Sequence, residues 1–116
     1  MGIPQRSQTS AEVYEIVRDA ILNKKIIKAT YNGYARELCP HVVGLNKHHS
    51  EQALFYQFGG GSRTGLAPIG SSDNWRCVLL SKLRDVSSET GEWRSAPSHS
   101  RPQTCVAAID LEVEFR

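Results

Sequence analysis

The feature that most constrains the fold is an Asn32-Gly33 pair that follows a short run rich in β-branched and aromatic residues and precedes a second short run. Asn-Gly favours a tight type I′ turn because both residues tolerate positive φ. The first run covers 25–31, and the return run covers 34–39 and stops at Pro40, which cannot donate a hydrogen bond to a sheet. The pattern predicts an antiparallel hairpin, which needs further strands or a helix to bury one of its faces.

A helix pattern precedes the hairpin. Residues 9–12 fit a capping box, in which Thr9 and Glu12 satisfy each other's backbone groups. The apolar residues that follow recur at helical spacing: Val13, Ile16, Val17, Ala20 and Ile21. We therefore expect a helix over 10–23 with one apolar stripe that a sheet covers. The polar residues 1–9 are interpreted as a flexible tail.

Most of the remaining chain has strand and loop patterns. Residues 41–45 are a short extended piece, 52–58 a strand that is apolar on both faces, and 75–80 a strand that 82–86 extends or caps. The glycine-rich 59–74 and the Ser/Pro-rich 87–104 are predicted loops, and 105–115 alternates apolar and acidic residues as a C-terminal strand. One helix and five or six strands predict a single, mainly β (α+β) domain over 10–116. We expect a small, curled antiparallel barrel over 25–86, with the helix at one end.

The size and the cysteines limit the class of protein. The 116 residues leave room for one domain, and the N-terminal segment lacks the apolar core of a signal peptide. The three cysteines, Cys39, Cys77 and Cys105, are widely spaced and form no Cys-x-x-Cys pair. They are interpreted as small buried thiols. Together these features predict a cytoplasmic protein without a cofactor, a metal or a membrane partner.

The charge is unevenly distributed along the chain. Residues 24–84 carry nine basic and three acidic side chains, a net charge of +6, whereas 1–23 carry −1 and 85–116 carry −3. A basic middle segment attracts anions such as phosphate or nucleic acid. The alternative is a solvated surface on which like charges happen to cluster.

The segment from 20 to 86 resembles the WYL domains of bacterial regulatory proteins, in particular their short stand-alone members. The resemblance rests on AILNKKIIKATYNG, on Arg36-Glu37-Leu38-Cys39-Pro40-His41, on ALFYQFGGG, on Ser62-Arg63-Thr64-Gly65 and on NWRCVLLSKLRDV; 91–115 resembles their tail loosely. It implies a Sm-like, SH3-type barrel. It also implies a regulatory module that senses a nucleotide or single-stranded nucleic acid and acts through an effector or regulatory protein partner.

The chain departs from the WYL pattern in two places. An arginine and an aspartate expected after the Trp-Arg pair are Leu79 and Ser81, and the name-giving Trp-Tyr-Leu triplet corresponds to 54–56, Leu-Phe-Tyr. The resemblance in fold survives these changes, whereas the ligand specificity of the family does not transfer.

Seven polar residues are candidates for the ligand site: Arg36, His41, Tyr56, Gln57, Ser62, Arg63 and Arg76. The two planar guanidinium groups of Arg36 and Arg76 suit phosphate oxygens, and Tyr56 offers a ring for a base. The 59–65 loop offers backbone N–H groups to an anion. Alternative roles are a core position for Tyr56, a backbone contact at a strand bend for His41 and a plain turn for the loop. Trp75 and Trp93 are expected to anchor the core or its rim.

The sequence gives little support for catalysis. No Gly-x-Ser-x-Gly motif is present, Cys39 and His41 have no evident orienting partner, and carboxylates are scarce in the basic segment. We therefore expect a protein that is not an enzyme. With one predicted helix, reading duplex DNA would need a partner chain. The alternative function is a protein–protein adaptor or homo-oligomerisation module that uses sheet edges and the C-terminal strand.

Overall fold

A computed structural model describes residues 8–63, 65–68, 71–93 and 105–113. It contains helix α1 (Ser10–Asn23) and the strands β1 (Ile26–Tyr31), β2 (Tyr34–Leu45), β3 (Glu51–Gly60), β4 (Trp75–Leu79), β5 (Arg84–Glu89) and β6 (Ala108–Glu112), with 3-10 turns at Ser72–Asn74 and Leu80–Lys82. The six strands form one antiparallel sheet. The predicted mainly β fold with one helix is confirmed.

Helix α1 begins at the predicted capping box. The Thr9 hydroxyl accepts from the Glu12 backbone N–H at 3.1 Å, and the Glu12 carboxylate accepts from the Thr9 N–H at 3.0 Å. The helix ends at Lys24, whose φ of 50° is left-handed. Its buried stripe consists of Val13, Val17, Ala20 and Ile21. Among the described residues, no helix has the length and apolar character that crossing a membrane requires.

The segment expected to be a flexible tail is partly ordered. The Gln8 side-chain amide donates to the Val86 carbonyl and accepts from the Val86 N–H, both at 2.8 Å. The Gln8 side chain therefore forms the same pair of hydrogen bonds with the β5 backbone that a residue of a neighbouring strand would form. Residues 1–7 lie outside the described part of the chain.

The strand order shows that the sheet is curled. Strands β1 to β4 follow one another across the sheet, and β5 then returns to pair with β1, giving the order β4-β3-β2-β1-β5 with β6 paired to β2. The edges of a flat five-stranded sheet lie about 19 Å apart. From Leu79 to Arg84 the chain can span at most about 18 Å, and the intervening 3-10 turn shortens it further. The two edges therefore bend toward each other, but no described strand pairing joins β4 to β5, and the expected barrel is not closed.

Strands β2, β5 and β6 have boundaries that differ from the sequence prediction. Strand β2 continues through Pro40, because the register with β3 shifts between Pro40 and Val42 and leaves His41 as an extra residue. Such a bulge accommodates a proline that has no N–H to donate. Strand β5 extends to Glu89, into the expected loop at 87–104, of which 94–104 lie outside the described residues. Strand β6 is shorter than the expected 105–115, and 114–116 also lie outside the description.

The sheet has two faces with different contents. The helix face packs on α1 and carries the main core, which includes Ile27, Leu38 and Phe55. The aromatic face carries a second cluster of Ile26, Cys39 and Tyr56, against which Phe58, Trp75 and Trp93 pack. Because successive strand residues point to opposite sides, each strand contributes to both faces.

The cysteine prediction is wrong for two of the three residues. Cys77 on β4 and Cys105 before β6 form a disulfide, with their Cα atoms 5.7 Å apart, whereas Cys39 is buried and keeps its thiol. The 28-residue separation gives no local signal for this pair, which the approach of the C-terminal segment to β4 creates. Because disulfides are rare in cytosolic proteins, the cysteine argument for a cytoplasmic location no longer holds.

Candidate anion-binding site

Arg36, Gln57 and Arg76 converge on the helix face from three neighbouring strands. Arg36 Nη1 donates to Gln57 Oε1 at 3.2 Å, and Arg76 Nε donates to the same oxygen at 3.0 Å. The strand register brings them together, because Gln57 lies opposite Leu38 and Arg76 lies opposite Phe55. We call this group the arginine cluster.

The arginine cluster brings together two positive charges that no carboxylate of the described residues neutralises. Within the described residues, neither guanidinium forms an ion pair with a carboxylate. Arg36 is only 5% exposed, and its buried Nε finds no hydrogen-bond partner there. Burial and the nearby Arg76 charge lower the pKa of the Arg36 guanidinium below its usual value. An anion between the two groups would relieve both the repulsion and the unmet N–H.

Two tyrosines hold the Arg36 guanidinium in place. It lies 4.8 Å from the ring centre of Tyr31 and 5.9 Å from that of Tyr34. Such cation–π contacts stabilise the positive charge without neutralising it. The sequence interpretation missed both residues, although a signal was present. Tyr31 and Tyr34 flank the Asn-Gly turn as directly opposed partners, and Arg36 follows two positions later on the same face.

The Gln57 amide is oriented by the end of β3. Its Nε2 donates to the carbonyl oxygens of Gly59 at 3.0 Å and of Gly61 at 2.9 Å. With both N–H bonds directed to the backbone, Oε1 faces the arginines. Gln57 therefore positions the two cations and is fully buried.

The glycine-rich segment packs closely against β2. Gly60 has a φ of +80°, and a Cβ at that position would overlap the Ala35 carbonyl and the Arg36 Cα. The Gly61 N–H donates to the Ala35 carbonyl at 3.0 Å. That N–H is therefore used inside the fold, and the glycines serve the approach of β3 to β2.

Ser62 and Arg63 are not joined to the arginine cluster. The Ser62 hydroxyl donates to the Gly65 carbonyl at 2.7 Å, and the Gly65 N–H donates back to the Ser62 carbonyl at 3.2 Å. Arg63 is exposed. The predicted neighbour Thr64 lies outside the described residues.

Arg76 is held by the chain that leads into β4. Its Nη1 donates to the Asp73 carbonyl at 2.6 Å and to the Trp75 carbonyl at 3.2 Å. Asn74, which sequence reasoning missed, is fully buried, and its amide bonds both the N–H and the carbonyl of Ala67. The half-buried Arg76 gives the cluster its opening to solvent.

His41 and Tyr56 lie on the aromatic face, away from the arginine cluster. Tyr56 is fully buried, and its hydroxyl donates to the Ser71 carbonyl at 3.0 Å. His41 is also fully buried, with Nδ1 2.8 Å from the Cys39 carbonyl oxygen. Its ring packs between Trp75 and Trp93, at centroid distances of 4.7 and 4.3 Å. The core role of Tyr56 and the backbone contact of His41 are the alternatives that the structure shows, and Tyr56 offers no ring to a ligand.

An open groove of about 330 Å³ borders Arg36 on the β1–β2 hairpin. Its lining includes Lys28, Glu37 and Asp85. Lys28 already pairs with Glu89 at 3.0 Å. Because the groove mixes both signs of charge, it suits an anion less well than the arginine cluster does.

In comparisons with known proteins, no protein-family model, no curated protein and no solved structure matches this chain. The resemblance to WYL domains therefore rests on the quoted sequence motifs alone.

Proposed function

We propose that this protein is a WYL-like ligand-sensing module that binds phosphate of a nucleotide or single-stranded nucleic acid between Arg36 and Arg76. One observation carries the proposal: two guanidinium groups share the Gln57 oxygen and have no carboxylate partner among the described residues. Charge-assisted bonds from arginine to phosphate are strong and match the planar fork of the donor.

The surroundings of the arginine cluster support a nucleotide over a bare anion. Tyr34 packs on the Arg36 guanidinium and is 40% exposed. Its ring offers a stacking surface for a base beside the phosphate site. Every base has an aromatic face, so the site would tolerate different sequences.

The proposal includes a regulatory role through an effector partner and a cytoplasmic location, and both rest on the resemblance to the WYL domains of bacterial regulatory proteins. The curled sheet supports a Sm-like, SH3-type arrangement in an open form. A single described helix favours single-stranded over duplex nucleic acid, because a helix-turn-helix needs two helices.

The test is a fluorescence anisotropy titration of a labelled single-stranded oligonucleotide at low salt and at ~0.15 M salt. We expect binding at both, with affinity that falls steeply as salt rises because phosphate contacts release counterions. Arg36→Ala and Arg76→Ala should each weaken binding by about tenfold or more, the loss typical of a charge-assisted bond.

The matched control is Arg84→Ala. Arg84 is an arginine on β5 whose Nη1 donates to the backbone carbonyls of Ser81 and Leu83. The Arg84→Ala variant should reduce affinity by no more than about twofold. Arg84 lies on β5, two strands and so about 10 Å from β2, and exposed charges farther apart than about 8 Å are largely screened at ~0.15 M salt. If all three variants bind alike, the arginine cluster is not the site.

A second candidate function, the adaptor or homo-oligomerisation module, is favoured by Ile109. This β6 residue is 49% exposed. The neighbouring Asp110, by contrast, is engaged within the chain by Tyr14 and Arg18. Sedimentation velocity of the wild type and of Ile109→Lys tests this second function. A defined oligomer that the substitution dissociates would support the adaptor or oligomerisation module. A wild-type protein that is monomeric at all concentrations would exclude homo-oligomerisation.

A further inference from the structure

The local environment of the disulfide between Cys77 and Cys105 favours thiol–disulfide exchange. Cys77 is exposed on β4, and Cys105 is half-buried. The Gln52 side-chain amide Nε2 lies 2.7 Å from Cys77 Sγ and 3.4 Å from Cys105 Sγ, and it also donates to the Cys105 carbonyl at 2.9 Å. An N–H directed at a sulfur stabilises negative charge there, and a stabilised thiolate leaves faster.

A short chain of bonds orients this amide. Asn46 Nδ2 donates to Gln52 Oε1 at 2.7 Å, which turns Nε2 toward the sulfurs. The Asn46 side chain is itself held by the backbone of the β2–β3 turn, because its Oδ1 accepts from the N–H groups of His48 at 2.8 Å and Ser50 at 3.1 Å. The donor is therefore held in place before any reaction.

The reduced state also has a place for its thiol. Cys105 Sγ lies 3.5 Å from the Ala53 carbonyl oxygen, within the range of an S–H donor bond. The same pocket thus offers an N–H for a thiolate and a carbonyl for a thiol.

The bond also ties two separate parts of the sheet. Cys77 belongs to β4, at one end of the strand order, whereas the C-terminal segment pairs with β2 through Ala107 N to Leu45 O at 3.0 Å and Val113 N to His41 O at 2.7 Å. In the described strand pairing, β4 has β3 as its partner. The disulfide is therefore a covalent strap from an edge strand to the C-terminal segment.

We propose that the Cys77–Cys105 strap is a redox-controlled device, opened by a dithiol reductant and assisted by the Gln52 amide. The reductant thiolate attacks the exposed Cys77 Sγ, and Cys105 leaves as a thiolate that takes a proton from solvent. The second thiol of the reductant, as its thiolate, then attacks the reductant sulfur of the resulting mixed disulfide with Cys77 and closes the reductant's own disulfide. Cys77 is released as a thiolate, which also takes a proton from solvent. Two electrons pass to the protein, and β4 loses its tie.

The first test is a thiol count on the denatured protein and a rate measurement with dithiothreitol. We expect one free thiol, that of Cys39, before reduction and three afterwards. Gln52→Leu and Asn46→Ala should slow the reduction about three- to tenfold, because the departing Cys105 thiolate loses its donor. The Cys105 thiol pKa, read from the pH dependence of alkylation, should rise in Gln52→Leu. Three free thiols without reductant, or unchanged rates and an unchanged thiol pKa in both variants, would overturn the proposal.

The second test is amide hydrogen exchange before and after reduction. We expect the β4 amides to exchange about tenfold faster in the reduced protein, while the β1–β2 hairpin amides keep their protection, as for a local opening. A double variant, Cys77→Ser with Cys105→Ser, should not respond to the reductant. Equal β4 protection in both redox states would contradict the strap.

Discussion

The two faces of the sheet use polar side chains in different ways. On the aromatic face, His41 and Tyr56 direct their polar atoms to the backbone carbonyls of Cys39 and Ser71. On the helix face, Arg36 and Arg76 meet at one amide oxygen. A polar group that the fold satisfies contributes to stability, whereas two cations held without an anion cost stability and are available to a ligand. Under the proposed function, this difference separates structural residues from ligand-binding residues on the three neighbouring strands β2, β3 and β4.

The largest expected effect is on the aromatic face. Tyr56→Ala removes a fully buried ring and should lower the free energy of unfolding by about 3–5 kcal/mol, as for other large-to-alanine core changes. Urea unfolding measures this, and an oligonucleotide titration at a temperature where the variant is folded should give wild-type affinity. Lost affinity with intact stability would place Tyr56 in the ligand site.

The helix face should show the opposite pattern. Arg36→Met replaces a buried, unneutralised charge with an apolar chain, so the free energy of unfolding should stay the same or rise by about 1 kcal/mol. Oligonucleotide affinity should fall about tenfold or more. Arg36→Lys, which keeps the charge but loses the planar fork, should bind with intermediate affinity. A loss of stability above about 2 kcal/mol would mean that Arg36 serves the fold.

A smaller effect is expected at the rim of the arginine cluster. Tyr34→Leu should change stability by less than about 0.5 kcal/mol, because Tyr34 is 40% exposed. It should weaken oligonucleotide binding about fivefold through lost stacking. Binding of inorganic pyrophosphate, which has no base, serves as the control and should not change. Equal losses for both ligands would assign Tyr34 to holding Arg36 rather than to stacking.

The smallest effect is expected where α1 meets β6, away from both clusters. The Tyr14 hydroxyl donates to Asp110 at 2.6 Å; burial and this bond raise the pKa of Tyr14 to about 12, and the bond lowers the pKa of Asp110 below its usual value. Tyr14→Phe should therefore cost a few tenths of a kcal/mol, since the pair is partly exposed.

The pH dependence of that cost has a definite sign. The raised Tyr14 pKa means that the bond contributes fully below pH 10 and that its contribution is lost as pH rises toward 12. The lowered Asp110 pKa means that the contribution is present above the usual carboxyl pKa and is lost as pH falls below it. Unfolding free energies of wild type and variant should differ between these limits and converge outside them. A difference that does not vary with pH would contradict the role of this bond.

The sequence predicts the local parts of the fold well. Helix α1 begins at its capping box and the hairpin turns at Asn32-Gly33, because both signals act within a few residues. Arg36, Gln57 and Arg76 are three of the seven site candidates, a set that rests chiefly on the resemblance to WYL domains, and the strand register brings these three together.

What the sequence interpretation missed depends on contacts between distant residues. Strand β2 continues past Pro40 because of the bulge at His41. This bulge is a shift in the register between β2 and β3, so the sequence of β2 alone does not predict it. The disulfide depends on where the C-terminal segment meets β4. The division of the five candidates that lie on strands between the two faces follows from alternation, but only once the register of β3 is known.

The most direct test is a two-dimensional NMR titration of the ¹⁵N-labelled protein with adenosine monophosphate, monitoring the side-chain Nε–H signals of Arg36 and Arg76. We predict that both signals shift and saturate together, while the Nε–H signals of Arg84 and the indoles of Trp75 and Trp93 stay in place. Saturable shifts at the indoles, with the Arg36 and Arg76 signals unmoved, would place the ligand on the aromatic face and contradict the account.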